Sequence, residues 1–200
     1  MKNTKLCGLA VSLLFLTSTV FAQTSNTEAF NKGNNLIGLG VGIGGTYLYN
    51  NIGPNYSQSP NFILTYDRGV FNQAGPGIIS LGGLFSFKST SYTLDENHNS
   101  TIYDNSVNYY ILGFRAAYHW NFTTCDQFDP YVGLMFADYI TAFHTTDPYY
   151  NTYAAESYYP SYTDFSFYLG VRYYVSPTVG IWLELGTGYT EAAFGANIKF

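Results

Sequence analysis

The feature that most constrains this chain is an alternation of apolar with small or polar residues at a period of two. In Leu112-Gly-Phe-Arg-Ala-Ala-Tyr-His-Trp120, residues Leu112, Phe114, Ala116, Tyr118 and Trp120 share one face. Ile111, Gly113, Arg115, Ala117 and His119 share the other. Phe165, Phe167, Leu169, Val171 and Tyr173 repeat the scheme, as do Ala192, Phe194, Ala196, Ile198 and Phe200. Only a β-strand, whose side chains point to opposite sides in turn, sorts residues in this way. Eight such runs are expected, at 34–48, 61–70, 78–91, 107–121, 130–144, 162–175, 179–189 and 191–200. Long and short connections take turns until the last, and Gln73-Ala-Gly-Pro-Gly77 and Ser176-Pro-Thr178 mark tight ends. Asp138 interrupts the apolar row of the fifth run, which predicts a bulge or register shift that leaves it facing inward.

Which face is interior follows from where the charges fall. A soluble barrel would carry charge outside and apolar side chains within. Here the strong apolar faces hold no charge through their middles and end in aromatics: Tyr110 and Trp120 bracket Leu112, Phe114 and Ala116. The strand charges Asp67, Lys88, Arg115, Arg172, Glu184 and Lys199 share faces with glycine and serine. Charged residues make up 10% of the chain and aromatics 20%, against about 25% charge in an ordinary soluble domain. Apolar outside and polar inside is the pattern of an eight-stranded antiparallel up-and-down transmembrane β-barrel. The cause is that hydrocarbon offers no hydrogen-bond partner, so a spanning sheet must close on itself.

The first residues read as a targeting segment. Lys2 and Lys5 precede the apolar run Leu6–Leu16, and Val20-Phe-Ala22 supplies a small-residue cleavage site. The expected organisation is a signal peptide at 1–22, a polar leader at 23–33 and a barrel at 34–200. Without Lys2 and Lys5, 6 of the 8 basic residues remain against 13 acidic ones, a net charge of −7 that argues against nucleic acid as a partner. Cys125 is then the sole cysteine, so no internal disulfide is expected.

Gly40-Val-Gly-Ile-Gly-Gly45 matches the G-x-G-x-x-G of dinucleotide-binding turns. That chemistry needs a strand before the glycines, a helix starting at them and an acid about 20 residues on. Here strand chemistry continues through Thr46, Tyr47 and Leu48, and Gly38, Gly40, Gly42 and Gly44 recur at every second position. They are expected to face a crowded lumen and give room to larger side chains opposite. No cofactor is expected.

With these residues in hand, the chain resembles the small eight-stranded outer-membrane β-barrel proteins of the OmpX, OmpW and opacity-protein type. Its end, Gly195-Ala-Asn-Ile198-Lys-Phe200, is similar to the signal that such proteins present to the barrel-assembly machinery, with Ala193 in place of the usual polar residue. The resemblance implies a Gram-negative outer membrane, surrounding lipid, a periplasmic leader, both termini periplasmic, and segments 49–60, 92–106 and 145–161 outside. A monomer is expected.

Three places are candidates for function. Arg115, Arg172 and Glu184 are expected to form a charge network in the lumen, since Arg172 and Glu184 fall one diagonal step apart across the turn at Pro177. The loop tyrosines Tyr149, Tyr150, Tyr153, Tyr158, Tyr159 and Tyr162 provide a binding surface for surface glycans or host proteins, because tyrosine offers large contact area at little entropic cost. Loop 92–106 adds Asp95, Glu96, His98, Asn99, Tyr103 and Asp104. Eight strands leave a lumen that side chains just fill, so no open porin channel is expected. The function expected is a structural or surface-interaction, adhesin-like role, with no enzyme activity. The alternatives are an OmpW-like conduit for small apolar solutes, with Leu84, Ile111 and Tyr168 as linings, and a lipid A-modifying enzyme built on His144, Asp147 and Ser157. No metal is expected, because Asp95-Glu-Asn-His98 lacks calcium-loop spacing.

Overall fold

The computed structural model describes residues 29–45, 56–72, 75, 77–95, 102–121, 127–147 and 160–200. Eight strands build the barrel: β1 (Asn35–Ile43), β2 (Asn61–Asn72), β3 (Gly77–Asp95), β4 (Ile102–Trp120), β5 (Phe128–Thr145), β6 (Tyr162–Tyr174), β7 (Val179–Gly186) and β8 (Ala192–Lys199). Each pairs antiparallel with its sequence neighbour, and β1 pairs with β8 through Leu36↔Lys199 to Ile43↔Ala192. The sheet therefore closes, and every strand has two partners. Asn35 and Phe200 exchange two backbone hydrogen bonds of 2.9 Å, which brings the start of β1 and the chain's last residue to one end of the barrel. That end is called the terminal end below, and the opposite one the loop end. Ser57–Gln58 also pairs with Ser91 and Thr90, so it carries the line of β2 past Pro60, which has no N–H to give to the ladder.

The faces sort as the alternation requires. Leu112, Phe114, Phe136, Phe167, Leu169 and Ile181 are more than half exposed, whereas Ile111, Arg115, His119, Met135 and Ser166 are buried. On β4 the outward apolar row runs from Tyr110 to Trp120. Ten steps at about 3.3 Å, tilted by about 40°, span roughly 25 Å, the height of the apolar band of an outer-membrane barrel.

Three boundaries and the facing of one residue differ from the sequence reading. β1 stops at Ile43, where Gly44 and Gly45 turn away with φ of 79° and 71°, so Gly44 ends the strand and does not line the lumen; Thr46–Leu48 lie outside the described residues. Segment 92–106 is mostly ladder and not loop, because Tyr92↔Asn105 and Thr93↔Asp104 extend the β3–β4 pair. Above the lipid a strand no longer needs an apolar face, so composition alone mistakes it for a loop. β7 ends at Gly186, and residues 187–191 form an inward-folded turn. Asp138 faces outward: β5 holds one register with β4 from Tyr131 to Thr145, and Asp138 sits opposite Thr163 of β6. The Thr163 hydroxyl donates to its carboxylate at 2.6 Å, and at the loop-end margin of the band such a pair needs no bulge.

Candidate functional site

The concentrated chemistry lies inside the barrel, and the period of two puts it there. Asp67 on β2, Ser80 on β3, Arg115 and His119 on β4, Asp129 and Tyr131 on β5, Arg172 on β6 and Glu184 on β7 all occupy inward positions. Each of these residues is at most 3% exposed, so the charges meet one another and not water.

Arg115 and Glu184 form one half of the network. Arg115 Nη2 lies 2.6 Å from Glu184 Oε1 and Nη1 lies 3.4 Å from Oε2, while Arg115 Nε lies 3.0 Å from Asp67 Oδ1. The Nε contact is a charge pairing and not a directed hydrogen bond. Tyr131 and Tyr189 donate their hydroxyls to the two Glu184 oxygens at 2.7 and 3.2 Å. Arg172 forms the other half, with Nη2 2.6 Å from Asp67 Oδ2 and Nη1 3.3 Å from Asp129 Oδ2. Asp67 thus joins the halves. Each guanidinium also lies over a tyrosine ring, Arg115 over Tyr168 at 4.4 Å and Arg172 over Tyr131 at 4.2 Å, a favourable arrangement for a desolvated cation. Buried charges survive only when paired and hydrogen-bonded, and here each carboxylate accepts from at least one donor and lies beside a second.

Glycines create the space. Gly82 stands in register between Asp67 and Arg115, so the two long side chains meet across a position with no Cβ. Gly170 stands likewise between Tyr131 and Glu184. The indole of Trp182 lies on Gly38 and Gly40 at the β1–β8 seam, and its Nε1 donates to the Ala196 carbonyl at 3.2 Å. This is the crowding that the alternating glycines predict for Gly38 and Gly40; Gly42 meets Thr190 and Ile63 instead.

Further buried side chains occupy the rest of the described lumen. Leu84, Ile111 and Tyr168 do face inward, buried in one cluster with Ile63, Met135, Tyr139 and Trp182. At the loop end Lys88 donates to the carbonyls of Gly44 and Gly45 at 2.9 and 2.8 Å, and Asn61 Nδ2 donates to the Tyr189 carbonyl at 2.8 Å. Asn61 also accepts from the Ser86 hydroxyl. At the terminal end Phe30 is fully buried against His119.

His119 links the network to that end. Its Nδ1 lies 2.8 Å from Asp129 Oδ1 and its Nε2 lies 2.9 Å from Ser80 Oγ. The connectivity is that of a nucleophile–base–acid chain. Ser80 and His119 are both fully buried, and the Phe30 ring lies 4.2 Å from the imidazole. The chain of bonds ties β3, β4 and β5 together.

Of the sequence candidates, Arg115 and Glu184 meet directly, whereas Arg172 has Asp67 and Asp129 as its partners. Asp129 falls outside the fifth run as read from the sequence, 130–144, whereas the strand begins at Phe128. Asp67 lay in plain view on an inward position, but only closure of the sheet brings β2 opposite β6. Gly195 faces the lumen, while Ile198 and Phe200 point outward and are 58% and 63% exposed. His144 is exposed on the outer wall beside Ser106. The backbone of Asp147 donates to Thr145 Oγ1 at 3.1 Å, and the Tyr162 ring stacks on Tyr139 with centroids 4.5 Å apart. Tyr149, Tyr150, Tyr153, Tyr158, Tyr159, Ser157, Glu96, His98, Asn99 and Cys125 lie outside the described residues.

No family model and no curated protein matches the chain. Among solved structures, a de novo designed transmembrane β-barrel matches at 15% identity over 86% of this chain and 98% of that one, with a TM-score of 0.47. Ail, the attachment invasion locus protein of Yersinia pestis, was solved in complex with the heparin analogue sucrose octasulfate and matches at 12% identity over 85% and 100%, TM-score 0.42. Ail in a phospholipid bilayer nanodisc matches at 15% identity over 84% and 100%, TM-score 0.46. The fold assignment rests on the ladder itself: eight antiparallel strands closed into a barrel, apolar toward the surroundings and ion-paired within, make this chain an eight-stranded β-barrel of the transmembrane kind.

Proposed function

We propose that the protein is a monomeric outer-membrane barrel of a Gram-negative cell that works as a structural and surface-interaction protein through its loop end, without catalysis. The observation that carries this reading is the filled lumen. A barrel whose interior is occupied by paired ions and packed aromatics offers no passage, so its contribution lies in what it displays. With the termini periplasmic, the loop end faces outward. There β3, β4 and β5 run past the band, and the β4–β5 ladder continues to Asn105↔Thr145 after the β5–β6 ladder has ended at Tyr139↔Tyr162. This three-stranded projection carries Ser89, Ser91, Asp104, Ser106 and Asn108 on its outward side, a polar surface suited to hydrogen bonding.

Charge narrows the partner. Between Ser89 and Tyr110 and between Thr141 and Asp164 the sequence has no Lys or Arg, while Asp95, Glu96, Asp104, Asp147 and Glu156 supply negative charge. Ail binds a sulfated heparin analogue. The loop end of the present chain is a poor match for such a polyanion, and its tyrosines favour a neutral saccharide or a protein surface. The test compares cells displaying the full chain with cells displaying a chain that lacks 148–159, on neutral glycans, heparin and host-cell protein. Binding to neutral glycans or protein that disappears with the deletion, while the barrel keeps its heat-dependent gel mobility, is the expected result. Binding that is unchanged by the deletion, or confined to heparin, would overturn the reading.

A further inference from the structure

The two mouths of the lumen are closed by different means. At the loop end the cover is the turn 187–191, which β7 and β8 hold from both sides. At the terminal end the cover is Ala29–Asn34, which leads into β1.

The sequence is built for this inward fold. Gly33 takes φ of 90°, a left-handed conformation that glycine adopts without strain, and this reverses the chain ahead of β1. The side-chain oxygen of Asn34 accepts from the Asn31 N–H at 2.8 Å and closes the turn. Gly69 lies against the Asn31 carbonyl, where any Cβ would collide, and β2 shifts its register between Gly69 and Phe71 to make way. Gly33 N–H donates to the Gly69 carbonyl at 2.9 Å, and Gly69 N–H to that of Asn34 at 3.0 Å. The segment then puts Phe30 into a pocket with Leu36, Ile78 and Tyr174, its ring tilted by 34° against that of His119. Lys199 holds its far end: Nζ donates to the Ala29 carbonyl at 2.7 Å and lies 4.1 Å from the Tyr174 ring centroid.

We propose that Ala29–Asn34 is a tethered stopper: seated, it keeps solvent and solutes out of the terminal end of the lumen, and released, it uncovers His119, Asp129 and the ion network above them. The contacts described for it include one ring, one ammonium, the Asn121 side-chain amide 3.5 Å from the Phe30 carbonyl, and a short backbone exchange. The strands that line the pocket are held by ladders on both sides. This closure lies ahead of the first strand, so it can swing out without breaking any of the eight strand ladders.

Purified barrel in detergent micelles tests this directly, whatever the protein binds. In a Cys125→Ser background, Ile78→Cys puts a thiol in the pocket beneath Phe30, and its rate of reaction with a small charged methanethiosulfonate reports solvent entry. The parent should react slowly, Phe30→Ala at least tenfold faster, and the exposed-site control Lys32→Ala no faster than the parent. Heat-dependent gel mobility shows that each chain is folded, and Phe30→Val runs alongside in case the alanine chain is not. Equal slow rates in the parent, in both Phe30 variants and in a chain lacking 23–31 would overturn the proposal, since the strands would then seal the mouth unaided. A fast rate in the parent would overturn it equally.

Discussion

Removing the charge of Glu184 is the sharpest perturbation of the lumen. Its carboxylate accepts four bonds, from Arg115 Nη2 at 2.6 Å, Arg115 Nη1 at 3.4 Å, Tyr131 at 2.7 Å and Tyr189 at 3.2 Å. In Glu184→Gln one oxygen becomes an amide donor that faces a guanidinium N–H and a tyrosine hydroxyl; the hydroxyl can turn to accept, the guanidinium cannot. One of the four bonds is therefore lost, and the other three no longer meet a charge. At about 1.5–3 kcal/mol for a hydrogen bond to a charged group, the lost bond alone costs that much before relaxation, and the weakening of the other three adds to it. Asp67, 3.0 Å from Arg115 Nε, keeps the guanidinium partly paired. The expected net cost is about 3–5 kcal/mol, the usual penalty for orphaning one member of a buried pair. Guanidinium unfolding in micelles, followed by tryptophan emission, gives this as a midpoint shift at unchanged slope. Arg115→Met combined with Glu184→Gln should cost less than the two single changes added, by about 1–3 kcal/mol, because the double variant leaves no charge orphaned. A shift under about 0.5 kcal/mol for the single change, or strict additivity, would show a solvated pair and refute the sealed lumen.

Further outcomes follow from the faces and the seam. Leu134→Arg, in the middle of the outward row, should cost about 2–4 kcal/mol, while Asp138→Arg at its loop-end margin should cost only about 0–1, both read by the same unfolding assay. Gly40→Leu drives a side chain into the Trp182 indole and should cost at least about 1–3 kcal/mol or prevent closure. The yield of heat-modifiable barrel measures it, and recovery on adding Trp182→Ala would confirm the clash. Phe200→Ala removes an outward-facing terminal ring, so it should lower the amount assembled in cells while leaving the stability of barrel refolded in detergent nearly unchanged. A large stability loss in detergent would count against an assembly role.

The alternation made the fold legible in advance. Phe165, Phe167 and Leu169 stand on the outward face as their spacing requires, and Arg115 and Glu184 point inward, because a period of two is a local property that no later packing can alter. Errors gathered at strand ends. Tyr92, Thr93, Tyr103 and Asp104 carry the polarity of a loop, yet they are ladder, since lipid no longer selects the outward residues there. Asp138 broke the apolar row and still kept its register, because a charge at the margin of the band meets Thr163 and water.

What the sequence by itself determined is the class of surface each residue sees: apolar alternate positions to the outside, small and ionic ones to the lumen, and a lumen too narrow to stay empty. Only the tertiary structure decided the partners. That Arg172 meets Asp67 and Asp129, that Asp67 joins the two arginines, and that Phe30 closes the terminal end all depend on which strands come opposite one another. Closure of the sheet sets those distances across the barrel between residues as far apart in the chain as Asp67 and Arg172, and no local pattern encodes them.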